Sequence, residues 1–203
     1  MRFGMIINLR RCVGCSACVV ACRAEHGTPP GAHRSRVLRY ETGRYPVARM
    51  RFLPLLCMQC NDPPCLKACP TGATKKLDSG TVIIESSKCI GCRACMVACP
   101  YGSRSFLFKK EVYYGETQKM TPYEEIKSQG YSVGTAIKCD FCLERVKAGR
   151  QPACVDTCPA AARTFGDLDD PRSEIVRMLV KTGAKPLYPE LGTKPAVYYI
   201  DVE

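Results

Sequence analysis

The sequence has no long hydrophobic run. No stretch approaches the roughly 18 consecutive apolar residues that a transmembrane helix requires, which excludes a helical membrane span. The opening segment, MRFGMIINLRRC, lacks the apolar region and cleavage site of a secretory signal peptide, so we expect no export signal of this kind. Any membrane attachment is therefore expected to come through a partner.

Regular secondary-structure patterns are also few. Short strands are predicted at three places, 2–8, 81–85 and 197–202. One amphipathic helix is predicted, with Asp170 as its cap, Pro171 in its first turn and Gly183 at its end. The segments 25–50 and 100–136 are predicted to be loops, and they are long enough to be candidates for contact with a partner.

Cysteine, by contrast, is abundant, and its sixteen residues fall into four groups of four. The groups are Cys12, Cys15, Cys18 and Cys22; Cys57, Cys60, Cys65 and Cys69; Cys89, Cys92, Cys95 and Cys99; and Cys139, Cys142, Cys154 and Cys158. The first and third groups both read C-x2-C-x2-C-x3-C, the spacing that binds 4Fe–4S clusters in bacterial ferredoxins. Four thiolates per cluster predict four clusters with no cysteine left over, and hence an electron carrier whose clusters serve as its core.

Other uses of cysteine fit this pattern less well. Disulfides suit small secreted proteins, but cysteines three apart within each group favour a metal over pairing. Zinc also binds C-x2-C pairs, yet the first and third groups add a third cysteine at the same spacing, so a zinc-stabilised binding module is the weaker hypothesis. Because sixteen cysteines fill sixteen ligand positions, no iron is left open for a substrate, and we expect no catalysis on this chain.

The formal charge of +11 suggests a nucleic-acid partner at first sight. An oxidised cluster with four thiolates carries about −2, so four clusters reduce the total to about +3. We therefore interpret the basic residues as counter-charge and expect no nucleic-acid partner. Those close to the cysteine groups in sequence are Arg10, Arg11, Arg23, Lys67, Lys88, Arg93, Lys138 and Arg145.

The cysteine groups form an internal repeat. Residues 12–22 (CVGCSACVVAC) and 89–99 (CIGCRACMVAC) match at 8 of 11 positions, and 63–73 resembles 152–162. The order A-B-A′-B′ indicates two copies of a two-motif unit. In the ferredoxin run the fourth cysteine binds the other cluster of the pair. Glycines lie between the first two ligands of the first and third groups, where we expect the backbone to pass close to inorganic sulfide; they are Gly14 and Gly91.

The four groups in this order resemble the iron–sulfur subunits of the DMSO reductase family of molybdoenzymes, which includes DMSO, polysulfide, thiosulfate, tetrathionate and arsenate reductases. The matching pieces are CVGCSACVVAC, CMQCNDPPCLKACPTGA, CIGCRACMVACPYG, KCDFCLERVKAGRQPACVDTCP, ARTFGDLDDP and LGTKPAVYYI. One departure is Gln59, where many relatives carry histidine. Since that position is not a ligand, we expect at most a changed cluster potential.

The resemblance implies how the cysteines are shared, with group one paired to group four and group two to group three. It assigns Cys12, Cys15, Cys18 and Cys158 to a first cluster and Cys22, Cys139, Cys142 and Cys154 to a second. It assigns Cys57, Cys60, Cys65 and Cys99 to a third cluster and Cys69, Cys89, Cys92 and Cys95 to a fourth. All four clusters are expected to be 4Fe–4S, because no cysteine is replaced.

The resemblance also implies the fold class and the domains. We expect an α+β protein of two ferredoxin-like domains with extensive loops and little regular secondary structure. The outer domain would contain 1–50 and 130–203 with groups one and four. The inserted domain would contain 51–129 with groups two and three.

The function implied is electron transfer between a quinone-linked membrane subunit and a catalytic subunit that holds a molybdenum or tungsten bis-pterin. A polyferredoxin-like carrier of another redox complex, such as a hydrogenase, is the alternative. We expect a peripheral membrane complex, with export to the periplasmic face alongside the catalytic subunit favoured over a cytoplasmic location. The two histidines, His26 and His33, are expected to be exposed loop residues, and a hydrogen bond to a partner or a cluster sulfur is the alternative.

Overall fold

The computed structural model describes residues 1–109, 111–114 and 119–202. Its strands are β1 (Phe3–Asn8), β2 (Ser35–Thr42), β3 (Arg49–Leu56), β4 (Thr74–Lys76), β5 (Val82–Ile84), β6 (Ser105–Phe106), β7 (Ala136–Ile137), β8 (Arg163–Asp167), β9 (Lys185–Pro186) and β10 (Val197–Ile200). Its α-helices are α1 (Ala17–His26), α2 (Pro64–Lys67), α3 (Ala94–Val97), α4 (Pro122–Lys127), α5 (Leu143–Lys147), α6 (Ala153–Asp156) and α7 (Glu174–Thr182). Short 3₁₀ turns cover Ser86–Lys88, Ser128–Gly130 and Pro189–Leu191.

The two ends of the chain build one four-stranded sheet, in the order β8-β1-β10-β9. β1 runs parallel to β10 and antiparallel to β8, with Met5 opposite Val197 on one side and Phe165 on the other. The predicted strands over 2–8, 81–85 and 197–202 are confirmed as β1, β5 and β10, each slightly shorter than expected. The remaining strands form three two-stranded pairs, β2 with β3, β4 with β5 and β6 with β7.

The central strand β1 is buried on both faces. Ile6 packs under α7 against Ile175, and both side chains are almost completely buried. Met5 and Ile7 face the other way, into the core that contains several cysteines. Successive side chains of a strand point to opposite faces, so the sheet separates α7 from the cysteine groups.

The helix predicted after Asp170 is present but begins later than expected. Its cap is Ser173, whose hydroxyl accepts a hydrogen bond from the backbone N–H of Val176. Asp170 instead accepts from the N–H of Arg172 and closes a turn ahead of the helix, which is a common use of aspartate. Gly183 ends the helix in a left-handed conformation, as predicted.

The loop prediction for 25–50 is wrong over much of its length. α1 extends to His26, and β2 pairs with β3 in an antiparallel hairpin of eight residue pairs. The sequence pattern is weak because the hairpin is buried only at its base, while its outer half is exposed and carries arginine and tyrosine. In 100–136 the structure adds β6 and α4, while residues 110 and 115–118 of that predicted loop lie outside the described residues.

The core is more conventional than expected. Aliphatic and aromatic side chains pack together with four cysteines in one cluster, whose largest members include Met5, Leu56, Met58, Phe141 and Tyr199. The cysteines in that cluster are Cys18, Cys60, Cys139 and Cys154. The cysteine groups are thus built into an apolar core, so the expectation that clusters alone serve as the core is wrong. The α+β class with small sheets and little regular structure is confirmed.

Within the described ranges, none of the helices combines the length and the apolar character needed to cross a membrane.

Candidate metal centres

A first cavity, of about 380 Å³, lies between β1 and the start of α1. Its wall contains three thiols of the first group, Cys12, Cys15 and Cys18, together with Cys158 from the fourth group. Most of the remaining lining is apolar, and Arg163 also reaches it. The structure therefore brings the last cysteine of the chain to the first three, and their joint role as ligands of one cluster stays a prediction.

A second cavity, of about 340 Å³, repeats this arrangement. Three thiols of the third group, Cys89, Cys92 and Cys95, line it together with Cys69 from the second group. Arg104 reaches this cavity in the way that Arg163 reaches the first.

The other eight cysteines form two further sets of spatial neighbours. Burial, and then the negative charge of nearby Cys154 and Cys142, raises the pKa of Cys22 to about 12. Burial and the neighbouring Cys57, Cys65 and Cys99 likewise raise the pKa of Cys60 to about 12. Both effects require the thiols of each set to be close together in space. A thiol with a raised pKa must lose its proton before it can bind iron, so cluster binding at these two cysteines is coupled to proton release.

These sites fit an iron–sulfur cluster in size and chemistry. In the part of the chain that the structure describes, no three His, Cys, Asp or Glu side chains are close enough to share one metal ion. A 4Fe–4S cluster is larger than a single ion and is held by four cysteine thiolates, one on each iron. Each of the two cavities offers four thiols around a mainly apolar space that is partly open to solvent.

Backbone N–H groups point at several of these sulfurs. The N–H of Thr74 lies 3.4 Å from Sγ of Cys69, and that of Ala162 lies 3.3 Å from Sγ of Cys158. Burial alone would raise the pKa of Cys69, but hydrogen bonds from Thr74 and Thr71 lower it to about 7. Donors of this kind stabilise a thiolate and are one of the means by which proteins set cluster potentials.

Other residues of the same chain require glycine between the first two cysteines of groups one and three. Gly14 has φ +66° and Gly91 has φ +74°, both in the left-handed region. A Cβ on Gly14 would lie 2.2 Å from the ring of Phe52, and one on Gly91 would lie 2.4 Å from the carbonyl oxygen of Gly134. Contact with a sulfide stays a prediction, whereas crowding by the chain itself is sufficient to require glycine.

The expectation of an exposed loop position is wrong for His26. It is the last residue of α1, and its side chain is mostly buried with Nε2 3.3 Å from Sγ of Cys142. Burial, followed by the positive charge of Arg34, lowers the pKa of His26 to about 4, so the ring is neutral near pH 7. This matches the alternative, a hydrogen bond to a ligand sulfur. His33 is partly exposed and has Arg36 as its side-chain neighbour.

Gln59 is completely enclosed and links three parts of the chain. Its Nε2 donates to the carbonyl oxygen of Cys139 at 2.8 Å, and its Oε1 accepts from the N–H of Val82 at 2.7 Å. It is 2% exposed, and the N–H of Val82 depends on it for a buried hydrogen bond, whereas the carbonyl oxygen of Cys139 also accepts from Nζ of Lys138 at 2.6 Å. The sequence marked this position as unusual but did not indicate a structural link between the second and fourth groups.

Sequence reasoning missed the two arginines that reach the thiols. Nη2 of Arg163 lies 3.4 Å from Sγ of Cys18, and its Nη1 lies 3.7 Å from Sγ of Cys154. Arg104 is equally buried beside Cys65 and Cys95. Neither was among the basic residues selected by proximity in sequence. The available signal was their shared spacing, since each follows the last cysteine of its group by five residues.

Comparison with known protein families agrees with these sites. Residues 48–113 and 107–168 match a 4Fe–4S dicluster domain family, and residues 11–73 match a second family of that description. Two dicluster domains account for four 4Fe–4S clusters, which agrees with the sixteen cysteines.

Individual relatives cover nearly the whole chain. A selenate reductase subunit of Mesobacillus selenatarsenatis is 42% identical over 97% of this chain and 70% of its own length. The arsenate respiratory reductase iron–sulfur subunit of Shewanella sp. is 37% identical over 98% of this chain and 96% of its own length. A tetrathionate reductase subunit of Salmonella typhimurium is 39% identical over 100% of this chain and 73% of its own length.

These relatives do not favour the hydrogenase-type alternative. The order of the cysteine groups, the two four-thiol cavities and the similarity over almost the full length lead to one assignment. The chain belongs to the iron–sulfur, electron-transfer subunits of the DMSO reductase family of molybdoenzymes.

Proposed function

We propose that this chain carries electrons between a quinone-linked membrane subunit and a catalytic subunit that holds a molybdenum or tungsten bis-pterin. The observation that carries the proposal is the pair of four-thiol cavities, one built on the first cysteine group and one on the third. When bound, 4Fe–4S clusters supply reversible one-electron transfer. The similarity to subunits of selenate, arsenate and tetrathionate reductases supports a role within a larger reductase.

We further propose the four ligand sets that the resemblance implies, each with three cysteines from one group and one from its partner group. The two cavities and the proximity of Cys22 to Cys142 and Cys154 support this sharing. The sheet that joins both ends of the chain supports an outer domain made of 1–50 and 130–203 around an inserted domain of 51–129. The boundary at 51 falls inside β3 (Arg49–Leu56), which belongs to a hairpin that crosses it.

The exposed cysteines identify where partners would meet the chain. Cys15 and Cys92 are exposed, whereas the other cysteines are partly or fully buried. Beside them lie the apolar side chains Val13 and Ile90, which are 62% and 68% exposed. We propose that these two places are covered by the neighbouring subunits, because an apolar side chain beside a near-surface redox centre favours close, water-excluding contact.

In this proposal the chain itself is not catalytic, since all sixteen cysteines serve as ligands and leave no iron open for a substrate. The substrate reacts on the catalytic subunit. We also propose that the complex lies at the periplasmic face of the membrane, exported together with the catalytic subunit.

The test is anaerobic purification of the complex from membranes through a tag on this chain. We expect about sixteen iron atoms per chain, four clusters reducible by dithionite in EPR spectra, and a co-purifying subunit that contains a pterin. A quinol analogue should reduce the clusters in membranes but not in the isolated chain. Four reducible clusters with no pterin-containing partner would contradict the assignment to a molybdenum or tungsten complex, and fewer clusters would contradict the cluster count.

A second experiment tests the location. Intact cells that express the tagged chain are treated with protease, before and after the outer membrane is made permeable. Loss of the tag after outer-membrane permeabilisation supports the periplasmic location, and a tag protected until the inner membrane is broken contradicts it.

A further inference from the structure

Two arginines occupy equivalent places in the two units of the repeat. Arg163 follows Cys158 by five residues, and Arg104 follows Cys99 by five residues. Both arginines stand at the start of a strand, since Arg163 is the first residue of β8 and Arg104 immediately precedes β6. Each is 5% exposed, and neither has a carboxylate partner within the described parts of the chain, which is unusual for a buried charged residue.

Arg163 lies between thiols of two different cysteine groups. Its Nη2 is 3.4 Å from Sγ of Cys18 in group one, and its Nη1 is 3.7 Å from Sγ of Cys154 in group four. Its third neighbour is Sδ of Met5, 3.6 Å from Nη1. Burial alone would lower the pKa of Arg163, but the negative charges of Cys154 and Cys18 outweigh it and raise the pKa above its usual value. An arginine side chain is not deprotonated in proteins, so this guanidinium is a fixed positive charge.

Arg104 has the corresponding neighbours in the other unit. Burial again would lower its pKa, and the charges of Cys65 and Cys95 reverse that effect. Its Nη1 donates to the hydroxyl of Thr74 at 3.2 Å. Its Nη2 is buried and makes no hydrogen bond of ordinary length and angle among the described residues, although the thiols of Cys65 and Cys95 are close enough to interact with the guanidinium. This buried N–H group lies beside a four-thiol cavity, so it could donate a hydrogen bond to a sulfur atom of a cluster bound there.

The thiols involved are equivalent as well. Cys18, Cys154, Cys65 and Cys95 are each the third cysteine of their group. Under the ligand sets proposed above, Cys18 and Cys154 bind the two clusters of the outer pair, and Cys65 and Cys95 bind the two clusters of the central pair. Arg163 therefore contacts ligands of both outer clusters, and Arg104 lies beside ligands of both central clusters.

We propose that Arg163 and Arg104 are potential-setting residues, each of which holds both clusters of its own pair at a higher reduction potential than a neutral side chain would. This inference rests on the proposed function and on its ligand sets. Reduction adds one negative charge to a cluster, and a fixed positive charge a few ångströms away stabilises the reduced form more than the oxidised form. Because both guanidinium groups are buried, salt screens this attraction weakly.

The test compares three purified complexes, which carry the parent chain, the Arg163→Gln variant and the Arg104→Gln variant. The reduction potential of each cluster is measured by redox titration with EPR detection. We expect Arg163→Gln to lower the potentials of the outer pair and Arg104→Gln those of the central pair. For each affected cluster, the equilibrium constant for one-electron reduction by dithionite should fall about tenfold. This corresponds to a reduction potential lower by about 59 mV. The matched control is Arg177→Gln, which removes a positive charge from the exposed face of α7 and should change no cluster potential.

Lysine variants separate charge from packing. Arg163→Lys and Arg104→Lys keep the charge, so they should restore most of the lost potential even though the two-pronged contact is gone. Unchanged potentials in both glutamine variants, or equal shifts in all four clusters, would overturn the inference while four reducible clusters leave the proposed function intact. Loss of clusters in the glutamine and lysine variants alike would assign both arginines a purely structural role and also overturn it.

Discussion

Nε2 of His26 lies 3.3 Å from Sγ of Cys142, although the two residues are 116 positions apart in sequence. Asp140 stands on the same side, with Oδ1 3.8 Å from this nitrogen, and its other oxygen accepts from Arg34 at 3.0 Å. The end of α1 is thus joined to the loop that carries the fourth cysteine group. A neutral imidazole has one N–H to donate, and a thiolate sulfur is an acceptor for it.

We predict that His26→Ala lowers the reduction potential of one cluster, the one assigned to Cys22, Cys139, Cys142 and Cys154. Losing a hydrogen bond to sulfur, worth about 1 kcal/mol, should reduce its equilibrium constant for reduction about fivefold. An EPR redox titration measures the change. His33→Ala is the control, since its ring faces Arg36 and should leave all four potentials unaltered. Equal effects of the two variants would rule out a specific contact.

The sharing of cysteines between groups predicts an effect at a distance in sequence. Cys158→Ala should damage the cluster built on Cys12, Cys15 and Cys18, because these four thiols line one cavity. Its EPR spectrum and iron content should match those of Cys15→Ala. The neighbouring Cys139→Ala should remove a different signal. A spectrum of Cys158→Ala that matches Cys139→Ala would show that each group binds its own cluster.

Two glycines with similar backbone angles provide a matched pair for stability. Gly91→Ala and Gly72→Ala both place a side chain at positive φ, +74° and +65°, which costs about 1–2 kcal/mol. Only Gly91→Ala adds a clash, with the carbonyl oxygen of Gly134 at 2.4 Å, whereas nothing lies within 4 Å of the new Cβ at Gly72. We expect a lower unfolding temperature and lower iron content for Gly91→Ala than for Gly72→Ala. Equal losses would show that φ alone accounts for the requirement.

Replacing Gln59 with leucine should destabilise the fold without removing a ligand. The change leaves the N–H of Val82 without its partner, at about 1–3 kcal/mol, while the carbonyl oxygen of Cys139 keeps the hydrogen bond that Nζ of Lys138 donates. Anaerobic denaturation with urea measures the loss. Gln129→Leu, at an exposed position, should stay within about 0.5 kcal/mol of the parent protein. A nearly neutral Gln59→Leu would mean that water or local movement satisfies the N–H of Val82.

Part of the architecture was accessible from local patterns. The apolar strands β1, β5 and β10 were predicted because buried strands are continuously apolar, and Gly183 marked the end of α7. The β2–β3 hairpin escaped prediction, because its exposed outer half has no apolar alternation. The cap of α7 was misassigned because the sequence offers two possible caps, Asp170 and Ser173, with a proline between them. The folded turn selects Ser173, whose hydroxyl accepts from the N–H of Val176, while Asp170 accepts from the N–H of Arg172.

The sequence by itself determined the number and type of the iron–sulfur centres, because the spacing of cysteines within a group is local and can be read without the fold. It also determined that the groups are repeated, and therefore that two paired units were to be expected. Only the tertiary structure decided which charges act on the sulfurs. Among 30 lysines and arginines, Arg163 and Arg104 share a spacing from the last cysteine of their groups, but that spacing does not show which thiols they meet. Arg163 meets Cys18 because the chain's two ends join in one sheet. Contacts between residues 145 positions apart depend on packing that no short sequence pattern encodes.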